Sequence, residues 1–179
     1  MNIQQSVSAI RHGAVIAYPT ETVWGLGCDP FCQQAVERLL TIKDRPVDKG
    51  LIMVVADIAQ LRALLPHLSA EDLQAVHAVH TPTTFLYPVV DAQIPDWVTG
   101  RHTKVAIRIS QHAIVQQLCL AWGGPLISTS ANPASCQPAT EIFQLRRYFS
   151  NTVPICQGRV GGDKPSTIID IETRQILRG

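Results

Sequence analysis

The stretch IKDRPVDKGLIMVVAD, residues 42–57, passes from the end of one element through a charged loop into an apolar run and on to a capping residue. LIMVVA, residues 51–56, is an uninterrupted apolar run and predicts a buried strand. Asp57 suits the N-cap of a helix that carries Leu61, Leu64 and Leu65 on one side. Upstream, Asp29 and Pro30 suit the cap and first turn of a helix running to about Ile42. Helix, loop, buried strand and helix follow one another directly, which sets the class as α/β.

Working outward, Ile3, Val7 and Ile10 recur at helical spacing before Gly13, predicting a short amphipathic helix over 3–12. AVIAY reads as a buried strand that Pro19 stops, and PTETVWGLG as an ordered loop. Ser69 and Asp72 form a capping-box signal for a further helix. Strands are expected at TTFLYPV, KVAIRI, PLIST, TVPIC, TIIDI and QILR, with helices near 111–122 and 139–149. Strands and helices alternate irregularly, so a mixed sheet is expected instead of a regular doubly wound one.

A chain of 179 residues, 46% hydrophobic and 16% charged, has the size and composition of one globular domain, 1–179, with no repeat, linker or low-complexity tract. The formal net charge of +1 argues against a broad basic face that coats nucleic acid. The amino end lacks the charged start and apolar run of a secretory signal, and no long apolar span is present, so a cytoplasmic protein without membrane attachment is expected. Cys28, Cys32, Cys119, Cys136 and Cys156 lack paired zinc-type spacing and read as buried or half-buried thiols. GLGCDP fails as a dinucleotide fingerprint because Pro30 stands at the third glycine position, and neither a Walker loop nor a nucleophile elbow occurs. His77 and His80 have no third ligand at metal-site spacing, so no protein metal site is expected.

Four stretches resist a bland account. In KDRPVDKG, Lys43 suits a helix C-terminus, while Arg45 and Lys49 flank a stiffening proline and precede a glycine. Two readings stay open there: a solvated loop neutralised by Asp44 and Asp48, or a clamp for a polyanion with Arg45 as a bidentate fork. STSANPAS, residues 128–135, gathers hydroxyls and an amide after a strand, as a serine-rich turn or a ligand-binding edge would. Arg108 interrupts an alternating strand and must face solvent or be paired, for which a substrate carboxylate would serve. GGDKPSTIID leads Ser166 and Thr167 into a strand, and Arg178 adds a possible phosphate contact near the end.

Together YPTETVWGLGCDP, KDRPVDKG, VAIR, STSAN, PSTI and ILRG resemble, in order and spacing, the threonylcarbamoyl-adenylate synthases of the YrdC-like type, in their short bacterial form. The resemblance implies a YrdC-like open α/β fold, a twisted mixed β-sheet with helices and a deep positively charged cavity. It implies an activity: L-threonine, bicarbonate and ATP give L-threonylcarbamoyl-AMP and pyrophosphate, with Mg2+ sharing the charge. A separate transferase complex would then modify the tRNA adenosine beside the anticodon. By the same resemblance Lys43, Arg45, Lys49, Ser130, Asn132 and Arg178 bind ATP, with Lys43 and Arg45 catalytic. Thr22, Arg108, Ser128, Ser166 and Thr167 match positions that take threonine. Such a step needs no protein nucleophile, only two anions held together and fixed positive charge.

Three places depart from the family pattern: HTPTT stands for P-G-P-x-T, Lys104 for a serine or threonine, and Pro133-Ala134-Ser135 for leucine-serine-glycine. Lys104 would strengthen phosphate binding or crowd the site. The competing class is a module that contacts RNA and catalyses nothing, disfavoured by 6% aromatic residues and little other basic surface. A different ATP-dependent carbamoylation or adenylation enzyme would keep the clamp and change the acceptor.

Overall fold

A computed structural model of the protein describes residues 1–90, 93–162 and 166–178. In chain order the elements are α1 (Ile3–Arg11), β1 (Ile16–Pro19), β2 (Trp24–Gly27), α2 (Gln33–Lys43), β3 (Ile52–Val55), α3 (Ile58–Leu64), α4 (Ala70–His77) and β4 (Thr83–Pro88). They continue with α5 (Asp96–Thr99), β5 (Lys104–Ile109), α6 (Ala113–Trp122), β6 (Leu126–Ser130), α7 (Ile142–Phe149), β7 (Thr167–Asp170) and β8 (Ile176–Arg178). The strands form one sheet in the order β1-β2-β6-β3-β5-β4-β7-β8. β3 runs parallel to β5 and β4 to β7, while the other neighbours are antiparallel, so the sheet is mixed as expected.

Local signals hold where a side chain closes a helix end. Asp57 accepts from the Gln60 amide, and Ser69 with Asp72 completes the capping box. Asp29 does not start α2; its carboxylate accepts from the Phe31 amide in a turn, and Cys32 is the N-cap. TVPIC forms none of the named strands; its backbone meets the sheet at the isolated bridge Ala17–Ile155, while Val153 and Cys156 pack into the two cores.

WGLG is the larger difference, since these residues form β2 instead of a loop and pair antiparallel with β1. The reason is steric. A Cβ on Gly27 would stand 2.1 Å from the Ile127 carbonyl oxygen and 2.7 Å from the Tyr18 ring. The strand keeps glycine so that Tyr18 can lie across it and donate its hydroxyl to that same oxygen at 2.8 Å.

Strand alternation splits the sheet into two unlike faces. Met53 and Val55, with Phe85, Tyr87, Val105, Ile107 and Ile127, belong to one large core, packed with residues of α2, α3, α4, α5 and α7. The opposite face carries Val54, Leu126, Ile16 and Tyr18, buried with residues of α1 and α6. Each such fully buried aliphatic side chain stabilises by about 1.5–3 kcal/mol. On this second face Ile52 pairs with Ala106 and Ser128, and Arg108 pairs with Val54. Helix cover therefore reaches Val54 and Leu126 but not their neighbours two residues along. The uncovered half, carrying Ile52, Ala106, Ser128 and Ser130, is where cavities form.

Gly27→Ala is expected to destabilise the protein by about 1–3 kcal/mol through overpacking against Tyr18 and the Ile127 carbonyl. Urea unfolding measures this, and an unchanged midpoint would contradict the assignment of Gly27 to a packed strand.

Candidate active site

Two cavities lie on the uncovered half-face. The first, about 400 Å³, is lined by Thr20, Thr22, Arg108, Ser128, Ser130 and Ser166, among others. The second, about 440 Å³, is lined by Lys49, Thr99, His102, Lys104, Ala106 and Ile168, among others. Arg45, Leu51, Ile52 and Arg178 line both. One continuous depression thus has an arginine-flanked waist between a hydroxyl-rich end and an end bordered by Lys49 and Lys104.

Arg108 reaches the first cavity from β5, and its charge is matched from behind. Its Nη2 stands 3.6 Å from Oε2 of Glu21, with the two side chains 11% and 4% exposed. Glu21 Oε1 accepts from the Ser110 hydroxyl at 2.6 Å and the Gln111 amide at 2.9 Å. Burial works to raise the Glu21 pKa, but the Arg108 guanidinium and these hydrogen bonds outweigh it and hold the carboxyl below its usual 4.5. Among the described residues Glu21 Oε2 and Arg108 Nε are buried without hydrogen-bond partners. A burial penalty for the arginine was foreseeable; that its partner is Glu21 was not, because nothing local marks which acidic residue folds back onto β5.

The three cations of the basic loop meet different fates. Lys43 is buried, 6% exposed, and lines neither cavity. Its ammonium donates to the Ser130 and Asn132 carbonyls, the latter at 2.9 Å, and lies 3.5 Å from Asn132 Oδ1. Burial first, and the Arg45 charge second, pull its pKa from 10.5 down to about 8, still a cation at neutral pH. Arg45 lies at the waist: Nη2 donates to the Gly50 carbonyl at 2.8 Å, while Nε is buried without a partner. Lys49 is exposed and borders the second cavity. The loop turns at Gly50, φ +62°, against Thr99, whose carbonyl would stand 2.8 Å from an added Cβ.

Ser130 donates to Asn132 Oδ1 at 2.6 Å, and Asn132 Nδ2 donates to the carbonyls of Pro133 and Cys136. Asn132 lines neither cavity and, with Lys43, shapes the loop after β6. Ser128 and Thr22 line the first cavity. Ser166 shares a 3.0 Å hydrogen bond with Thr84, and Arg178 donates to the Ser166 carbonyl at 3.0 Å. Thr167 lines neither cavity. Its neighbour Ile168 lines the second, so strand alternation sets Thr167 toward the other face.

Lys104 stands at the second cavity but is not free for an anion. Its ammonium pairs with Asp170 at 2.7 Å and with Glu172. The Asp170 hydrogen bond raises the lysine pKa, and the lysine in turn lowers that of Asp170. In the first departure, Thr81 of HTPTT lines a separate cavity beside His77 and Val79 and lines neither compartment. Ser135, in the third, adopts φ +63° and follows Ala134, whose amide donates to the Lys43 carbonyl at 3.1 Å.

A family model named for Sua5, YciO and YrdC, described as telomere recombination, matches residues 8–179. The chain belongs to this family. Curated relatives include threonylcarbamoyl-AMP synthases of Marinobacter nauticus, 51% identical over 93% of this chain and 89% of that one, and of Cellvibrio japonicus, 41% identical over 98% and 94%. Among solved structures, Sua5 of P. abyssi complexed with L-threonine superposes with a TM-score of 0.82 at 29% identity, over 94% of this chain and 50% of the longer Sua5. The fold of E. coli YciO is also shared, with a TM-score of 0.81 at 24% identity over 98% of this chain and 87% of that one.

Lys43→Met keeps the side chain's length but removes the ammonium that ties the Ser130 and Asn132 carbonyls together, and of the two only the Ser130 carbonyl keeps another donor among the described residues, the Asn132 amide. It is expected to cost about 2–3 kcal/mol of stability. Equal urea midpoints for the variant and the parent would contradict the role of Lys43 in holding the Ser130–Asn132 loop.

Proposed function

We infer that the chain is a threonylcarbamoyl-AMP synthase, and that residues 1–179 act as one catalytic domain. The observation that carries this reading is Arg108, held by Glu21 in a hydroxyl-rich cavity that opens past Arg45 and Arg178 into a second cavity bordered by Lys49. An amino acid suits the first compartment and a nucleoside triphosphate the second.

In this assignment the Arg108 fork takes the threonine carboxylate, a geometry well suited to bidentate recognition. Thr22, Ser128 and Ser166 surround the rest of the amino acid and can bond its hydroxyl. A cavity that bonds the hydroxyl rejects valine strongly, whereas excluding serine rests on one methyl, about 1–3 kcal/mol. Bicarbonate and the threonine amine give a carbamate and water. The carbamate oxygen then attacks the α-phosphorus of ATP, a new P–O bond forms, and pyrophosphate leaves with the electron pair of the broken bond. Arg45 and Arg178 lie at the waist where these anions meet, and Lys49 extends the positive charge toward the phosphates. Fixed charges there stabilise the transition state without reorganising.

Lys43 and Asn132 act in this account by holding Ser130 and its loop, so Lys43 is a positioning residue and Arg45 the group that touches phosphate. Thr167 is assigned no contact with threonine. Mg2+ would enter with ATP and share the neutralisation of its phosphates with Arg45, Lys49 and Arg178, while Asp170 and Glu172 at the second cavity's edge are engaged by Lys104. Among the described residues no helix is long and apolar enough to cross a membrane. The product is passed on in the cytoplasm to a transferase complex acting on tRNA, and direct contact of this chain with RNA is no requirement of the chemistry.

Pyrophosphate release should require threonine and bicarbonate together. Arg45→Ala and Lys49→Ala should each weaken ATP binding more than tenfold, about 1.4 kcal/mol or more. Release independent of threonine would point to another acceptor, and unchanged ATP affinity in both variants would remove the phosphate clamp.

A further inference from the structure

We propose that Glu21 is a positioning residue for the amino-acid substrate: it aims the Arg108 fork and offsets its charge, so that the first cavity selects an amino acid over a small free anion. This rests on the reading of Arg108 as the partner of the threonine carboxylate.

Glu21 sits in the turn between β1 and β2. Thr20 and Thr22, its neighbours on either side, line the first cavity, whereas Glu21 does not. Its carboxylate is fixed at one oxygen by Ser110 and Gln111, two and three residues after Arg108 on the chain, and faces the guanidinium with the other. Behind it the backbone is closed off: a Cβ on Gly161 would stand 2.8 Å from the Glu21 carbonyl, and the Gly161 amide donates to the Thr20 carbonyl at 3.0 Å. Among the described residues Arg108 is the ion-pair partner of Glu21, and the nearby His112 ring turns its Nε2 to the Arg159 carbonyl.

Two consequences follow from this placement. An arginine side chain in an open cavity samples many rotamers, and an anion behind it removes that freedom before substrate arrives. A buried guanidinium with no counter-charge would also attract any small anion, including the bicarbonate that the reaction consumes. With Glu21 ionised, a single carboxylate gains less from Arg108 alone. The amino acid wins through its added contacts with the cavity hydroxyls. The orphaned Nε of Arg108 remains as a donor that a substrate carboxylate can complete.

Steady-state pyrophosphate release tests this with Glu21→Gln, which keeps the side chain's shape and its acceptor for Ser110. The threonine KM should rise roughly tenfold or more, with kcat and the ATP KM little changed. Acetate should compete with threonine in the variant and not in the parent. Glu21→Asp, which restores the charge, should recover part of the loss. Ser110→Ala, which loosens Glu21 without lining the cavity, should shift the threonine KM in the same direction by less, and carries the test if Glu21→Gln does not fold. An unchanged threonine KM, equal rises in both KM values, or no competition by acetate overturns the proposal. Arg108→Gln separates the two levels. If it leaves the threonine KM unchanged, the reading of Arg108 fails and the proposal with it; if it raises that KM while Glu21→Gln and Ser110→Ala do not, only the role of Glu21 fails.

Discussion

A guanidinium in a strand is costly unless something offsets its charge, and the Arg108–Glu21 pair is the constraint around which the site is arranged. Taking both charges out of water costs several kcal/mol for each ion, which a single contact at 3.6 Å does not return. The hydrogen bonds of Ser110 and Gln111 to the carboxylate supply part of the difference. They also join the β1–β2 turn to the end of β5, two segments far apart in sequence. The same link that makes Arg108 tolerable therefore places Thr20 and Thr22 beside it.

A second buried cation has an opposite solution. Among the described residues no carboxylate pairs with Lys43, whose ammonium donates to backbone carbonyls and so ties the end of α2 to the loop after β6. Arg45 and Lys49, two and six residues on, are left to line the waist and the second cavity. Seven positions of sequence thus serve packing at one end and the cavity walls at the other. Lys104 shows the contrast: it borders the second cavity but carries its own two carboxylates, so it adds little net charge there.

Much of this was legible from the chain. The apolar run at 51–56, the capping residues Asp57 and Ser69, and the alternation in KVAIRI correspond to β3, α3, α4 and β5. The family motifs led to Arg45, Arg108, Ser128, Ser130, Ser166 and Arg178, which the fold gathers around one depression. What failed shares a physical cause, because each case depends on a partner distant in sequence. WGLG reads as a loop until Tyr18 is seen to need its glycines. Glu21 reads as one loop acid among many until β5 brings Arg108 to it.

The central claim is that the half of the sheet face left uncovered by α1 and α6 is a two-compartment site, with the amino acid on Arg108 and the triphosphate beyond Arg45. A crystal structure with L-threonine and a non-hydrolysable ATP analogue tests it most directly. The account predicts the threonine carboxylate at charge-assisted hydrogen-bond distance from Arg108, about 2.7–2.9 Å, and the phosphates against Arg45 and Lys49. Threonine bound away from Arg108, or a nucleotide outside the second cavity, would contradict it.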